Sequence, residues 1–121
     1  MNKAATGKSG ELYVARYLRE KGFIILSANY RCRLGEIDII AQDNQYICFV
    51  EVKTRNENFK FAPADAVDFS KRKKIIAAAM LYTAQNESAL QPRFDIAEVI
   101  IKSGKVGKIN YIKNAFDGDG R

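Results

Sequence analysis

Gly35-Glu36-Ile37-Asp38-Ile39-Ile40-Ala41-Gln42 and, beyond Asp43-Asn44, Gln45-Tyr46-Ile47-Cys48-Phe49-Val50-Glu51-Val52-Lys53-Thr54 decide how this chain folds. Both stretches alternate at a period of two, the mark of strands with two distinct faces. The tight turn between them makes the pair an antiparallel hairpin. Asp38, Glu51 and Lys53 are charged side chains set among Ile, Val and Phe. Two carboxylates beside an ammonium can hold a hard divalent cation and activate a water, which points to phosphodiester hydrolysis.

Counting outward from Asp43-Asn44 sets Asp38 opposite Phe49 and Glu36 opposite Glu51, and parity then sends Glu36, Asp38, Glu51 and Lys53 from one face. Diagonal neighbours across such a pair lie about 7–8 Å apart, within reach of a shared ion. A direct Glu36–Glu51 pairing is unfavourable unless a metal or Lys53 relieves it, or a bulge shifts the register. The alternative is a set of solvated charges on an open sheet face. Ile40, Ile47 and Phe49 share that face by parity, however, and the first helix carries a matching anomaly. At about 100° per residue, Glu11 falls inside the arc of Leu12, Val14, Ala15 and Leu18, while Arg16 and Glu20 point away. A glutamate there is costly to bury unless it is paired or bound to a metal.

Outward from the hairpin, Ser9 to Lys21 reads as a helix closed by Gly22. Phe23 to Leu26 begins a strand running towards Arg31. A loop with Phe59, Phe61 and Pro63 leads to a second helix, about Ser70 to Gln85, with Ser70 as N-cap. Phe94 to Lys102 and Ile109 to Lys113 form two more strands separated by Ser103 to Gly107. The order α-β-β-β-α-β-β predicts an α/β fold, a central mixed sheet flanked by helices. The 121 residues fit a single domain, with residues 114–121 expected as a flexible tail.

The chain has no histidine. That excludes Ser-His-Asp hydrolysis, histidine-ligated metals and any imidazole base, leaving carboxylates, lysines, tyrosines and metal-bound water. Cys32 and Cys48 lack zinc spacing and read as reduced packing residues of a cytoplasmic protein. No signal core opens the sequence, and its longest apolar run, Ile75 to Tyr82, is too short for a membrane span. The net charge of +6 favours a polyanionic partner. Lys71-Arg72-Lys73-Lys74 crowds the start of the second helix, where cations oppose the helix dipole. Phosphates meeting that run would account for it, with a solvated charge run as the alternative. Lys71 and Lys74 share a face one turn apart, and Arg31, Arg33 and Arg55 flank the acidic cluster. Tyr30, Phe59 and Phe61 are base-stacking candidates or, more commonly in proteins, core anchors.

Gly35-Glu36-Ile37-Asp38, a twelve-residue gap, then Glu51-Val52-Lys53, with Gly10-Glu11 on a preceding helix, resembles the PD-(D/E)xK nuclease pattern. Together with Gly7-x-x-Gly10-Glu11, Asn29-Tyr30-Arg31, Phe49-Val50-Glu51-Val52-Lys53-x-Arg55, Ala66-Val67, Lys71, Lys74 and Arg93-Phe94-Asp95, it resembles the YraN family of small bacterial proteins over nearly the whole chain. Two positions depart from the pattern: Ile37 replaces the motif's Pro, and Phe61-Ala62 stands where the family has Phe-Gly.

The resemblance implies a restriction-endonuclease-like fold, similar to that of archaeal Holliday-junction resolvases. It implies Mg²⁺ or Mn²⁺ held by Asp38, Glu51, the Val52 carbonyl and Glu11, with Lys53 beside the attacking water and Glu36 behind the ligands. Arg31, Arg55, Lys71 and Lys74 would contact nucleic acid. The expected function is a metal-dependent nuclease acting on DNA, including branched or structured DNA, with a homodimer as one expected assembly. The rival expectations are a non-catalytic nucleic-acid-binding module and an accessory protein of DNA repair or uptake machinery.

Overall fold

The hairpin organises the structure, a computed structural model that describes residues 3–57 and 67–121, with side chains from Gly10 onward. The elements are α1 (Lys3–Glu20), β1 (Ile24–Cys32), β2 (Gly35–Gln42), β3 (Tyr46–Asn56), α2 (Phe69–Asn86), β4 (Gln91–Lys102) and β5 (Lys105–Phe116). This is the anticipated α/β order. The strands form one mixed sheet in the order β1-β2-β3-β4-β5, with β3 and β4 parallel and every other pair antiparallel. The parallel pair needs a crossover, which α2 supplies. The expected loop bearing Phe59, Phe61 and Pro63 lies outside the described residues. Among the described residues no helix is long and apolar enough to cross a membrane.

Residues 47–51 and 94–99 are buried at every position, because β3 and β4 lie between two helical layers. On one face Ile37, Ile40, Ile47, Phe49, Phe94, Ile96 and Phe116 pack with Ile75, Ile76, Ala78 and Ala79 of α2. On the other, Ile39, Ala41, Cys48, Val50, Ala97 and Val99 pack with Val14, Ala15 and Leu18 of α1. Each fully buried Ile or Phe contributes about 1.5–3 kcal/mol relative to exposure. Leu12, expected in the core-facing arc of α1, is instead 71% exposed; the buried stripe is narrower, and Glu11 sits half-buried at its edge.

Two glycines bring the helices close to the sheet. A Cβ on Gly10 would lie 2.7 Å from Thr54 Oγ1, and one on Gly35 would lie 2.8 Å from the Lys74 carbonyl oxygen. Gly10 thus lets α1 lie on β3, and Gly35 lets the β1–β2 turn press against the backbone of α2.

The N-cap of α2 is Asp68 rather than Ser70: its backbone is extended and its carboxylate accepts the Lys71 N–H at 2.8 Å. The helix begins at Phe69, so Ser70 is already inside the first turn. The basic run that follows divides among separate tasks. Arg72 donates to the Val67 carbonyl at 2.7 Å and the Gly120 carbonyl at 3.2 Å, and lies over the Phe116 ring. Lys73 lies over Phe69, and Lys74 is exposed beside Gly35. Strand β5 continues to Phe116, into the stretch expected as a tail. Beyond it Asp117 Oδ1 accepts the N–H groups of Asp119 and Arg121, closing a turn against α2.

Gly35→Ala is expected to lower stability by about 1–3 kcal/mol through overpacking, because the clash is with backbone that cannot rotate away. Urea unfolding against wild type checks this.

Candidate active site

Strands β2 and β3 pair over four residue pairs only, Ile39↔Val50 to Gln42↔Ile47. Beyond them the sheet forks: β2 stays with β1 as far as Gly35, while β3 stays with β4 as far as Asn56. Continuing that register sets Asp38, not Glu36, opposite Glu51, two residues from the expected pairing. The reason is a longer turn, in which Asp43 Oδ1 accepts the N–H groups of Gln45 and Tyr46 and β3 begins at Tyr46.

At the fork β2 also changes face. Ile37 packs with the α2 layer, yet Ile39 packs with the α1 layer, although residues two apart in a regular strand share a face. The neighbouring strand turns with it: Ala28 opposes Ile39, Tyr30 opposes Ile37, and Asn29 between them has φ 58°, a left-handed conformation Asn tolerates well. Asp38 therefore does not follow the expected alternation. Its carboxylate lies in the gap between the strands and accepts the Val52 N–H at 2.8 Å, replacing the ladder partner that the fork removes. The N–H and C=O of one strand residue lie on the same edge, so the Val52 carbonyl faces the same gap.

Both layers reach this gap. From β3, Glu51 is only 6% exposed. Its Oε1 lies 2.9 Å from Lys71 Nζ of α2 and 3.8 Å from Lys53 Nζ. From α1, Glu11 comes close enough to Asp38 for their charges to interact, with Asn29 of β1 beside it. Among the described residues no three acidic or thiol groups close to metal-ligand spacing. Asp38 and Glu51 form a pair, with Glu11 outside it. Of the other expected residues, Glu36 is exposed and 3.5 Å from Arg31. Arg33, Arg31 and Lys74 line a cleft of about 370 Å³ beside Gly35. Lys71, grouped in the sequence with the phosphate contacts, sits on Glu51 instead. Arg55 lies on β3 beyond the fork. Tyr30 packs edge-on against Tyr82 and donates to Gln85 at 3.4 Å, which makes it an anchor rather than a free stacking platform.

Charge is strained here. Burial, and then the neighbouring negative Glu51, push the Asp38 carboxyl from its ordinary 3.8 to about 7, against the opposing pull of the Val52 N–H and Lys71. Glu11 is also raised, by burial first and Asp38 second. Burial and the adjacent Lys71 lower Lys53. Lys71 is raised: burial works against its charge, but the bond to Glu51 outweighs it. Two neighbouring carboxylates, with oxygen donors on one gap, are the donor set a hard divalent cation favours.

An acid on β4 has a different character. Asp95 is fully buried and accepts two bonds from Arg93 Nε and one from Nη2, the Tyr111 hydroxyl at 2.6 Å and the Asn114 N–H at 2.9 Å. Arg93 also lies 4.8 Å from the Tyr46 ring centroid. Composition gave no warning of this network; the Arg93-x-Asp95 spacing, two residues on one strand face, was its only trace. Cys48 beside it is a buried thiol pushed up to about 12, chiefly by burial, so it packs rather than reacts.

A five-stranded mixed sheet between two helices, forked at an acidic pair, defines an α/β protein with the restriction-endonuclease-like arrangement. A family profile described as "Uncharacterised protein family UPF0102" matches residues 10–99, and the chain belongs to that family, also called YraN. It is 46% identical over 119 residues to a UPF0102 protein of Caldanaerobacter subterraneus subsp. tengcongensis, covering 96% of this chain and 98% of that one. It is also similar to UPF0102 proteins of Dictyoglomus thermophilum (44% identity, 96% and 100% covered) and Clostridium botulinum (43%, 91% and 92%).

In the unfolded chain Asp38 ionises near 3.8, but in the fold near 7. Between those values the native state holds the extra proton, so stability falls as pH rises through the window. Without divalent cations, Asp38→Asn should therefore gain stability relative to wild type from about pH 4 to pH 8, read as a widening Tm difference. A constant difference would contradict the assignment. Asp95→Ala, which strands Arg93, should lower stability by about 3–5 kcal/mol in urea unfolding.

Proposed function

We propose that this protein is a metal-dependent nuclease that hydrolyses phosphodiester bonds in DNA, including branched or structured DNA. The observation that carries this reading is the pairing of half-buried Asp38 with buried Glu51 in the fork, with two lysines against one carboxylate oxygen. Asp38, Glu51 and the Val52 carbonyl would hold Mg²⁺ or Mn²⁺, and Glu11, outside that pair on α1, would reach the shell through water. When bound, the ion polarises a phosphoryl oxygen and acidifies a water.

The protein's own groups do the rest. Asp38 and Glu51 must both be ionised to serve as ligands, so the proton retained by Asp38 leaves as the cation enters. Asn29, beside Glu11, opposes the burial and the Asp38 charge that raise the Glu11 carboxyl. Lys53, lowered by burial and by Lys71, shares its proton more readily than an exposed lysine. Its Nζ would stand near the attacking water and lower that water's pKa, or donate to the charge that grows on the phosphoryl oxygens. Arg31, Arg33 and Lys74 offer cations along the cleft beside Gly35, where a phosphate backbone would be positioned without reading bases. The positive net charge adds attraction that salt weakens.

A second reading, a non-catalytic nucleic-acid-binding module, has one observation in its favour: Lys71 already neutralises Glu51 at 2.9 Å without a metal. Incubation of labelled linear, nicked and branched DNA with Mg²⁺ or Mn²⁺ separates the two. Under the nuclease reading wild type cuts and Asp38→Ala does not. Lys53→Met should lose about 10²–10³-fold in kcat, the size expected for a group that stabilises the transition state, while Mn²⁺ affinity is kept. Salt-sensitive binding with equal, background cleavage by wild type and Asp38→Ala would leave only the binding module.

A further inference from the structure

Glu51 Oε1 faces two ammonium groups, Lys71 at 2.9 Å and Lys53 at 3.8 Å. A carboxylate that also took a divalent cation would carry more positive charge around it than it can balance, and one lysine must withdraw. The surroundings decide which. The Lys53 side chain is 22% exposed and rooted in β3, whereas that of Lys71 is 40% exposed. Lys71 also borders an open cleft of about 330 Å³ lined by Gly35, Glu36, Ser70 and Lys74. Its backbone is fixed by the Asp68 cap, so withdrawal is a side-chain rotation that leaves α2 in place.

We propose that Lys71 is a resident counter-ion of Glu51 that a divalent cation displaces, and that its release delivers an ammonium beside Lys74 to receive a phosphate group of the nucleic acid. This rests on the nuclease reading and adds to it an order of events: the metal arms the phosphate site. The two lysines are three residues apart on one helix and so stand side by side. Two acids line that cleft: Glu36 is already held by Arg31 at 3.5 Å, and Asp68 accepts the Lys71 N–H at 2.8 Å. Metal binding and phosphate binding are therefore linked through one side chain, and the linkage must be reciprocal.

The test measures Mn²⁺ affinity by calorimetry for the wild-type protein, Lys71→Gln, Lys71→Arg and Lys105→Gln. It also measures the affinity of a duplex oligonucleotide in Ca²⁺ and in EDTA. Without DNA, Lys71→Gln should bind Mn²⁺ at least about 5-fold more tightly, the lower end of typical coupling between sites, because nothing needs displacing. Lys71→Arg, which keeps the charge, should not gain, and Lys105→Gln, which removes a charge far from the fork, should match wild type. The strengthening of duplex binding by Ca²⁺ should shrink in Lys71→Gln. Equal or weaker Mn²⁺ binding by Lys71→Gln, or an equal gain in Lys105→Gln, overturns the counter-ion role and leaves the nuclease reading standing. Failure of the wild-type protein and Lys71→Gln alike to bind Mn²⁺ removes both.

Discussion

The hydrogen bond from the Val52 N–H to the Asp38 carboxylate holds the two halves of the sheet at their point of separation. A forked sheet leaves main-chain donors and acceptors without ladder partners, and a buried, unpaired N–H is strongly unfavourable. Asp38 satisfies Val52 from the side, and in doing so it is drawn into the gap next to Glu51. Its protonation follows from that placement. The same bond that completes the fold thus brings a second carboxylate within reach of the first, and the candidate chemistry and the architecture cannot be altered independently at this residue.

Asp95 and Asp38 show what partners do to a carboxylate. Asp95 sits fully buried among a guanidinium, a hydroxyl and a backbone N–H, a saturated set that leaves no room for a ligand and ties β5 to β4. Asp38 has one backbone donor and a negatively charged neighbour. The first arrangement is structural, while the second is unfinished in the sense of charge. That contrast, rather than burial alone, separates a core ion pair from a site able to bind something.

Much of the fold was legible because β2 and β3 alternate clearly and α2 carries Ile75, Ala78 and Ala79 at helical spacing. Asp38, Glu51 and Lys53 stood out for the same reason, being charges at positions where hydrocarbon was expected. Three features were not legible. The register was off by two because the Asp43 side chain lengthens the turn, a local bond that strand parity does not encode. The change of face at Asn29 and Asp38 was hidden because alternation assumes a regular strand. Lys71 was read with its neighbours as part of a basic run, since only the crossover of α2 brings it over Glu51. The Asp68 cap was available to the same logic that chose Ser70, two residues nearer the apolar stripe.

The fork has a mechanical side as well. With four residue pairs joining the β1–β2 ribbon to the β3–β4–β5 slab, the seam between them is the compliant line of the sheet. The gap that holds the acidic pair lies at its open end. Anything bridging Asp38 to Glu51 would act as a rivet across that seam, so occupancy of the site and rigidity of the whole sheet would rise and fall together.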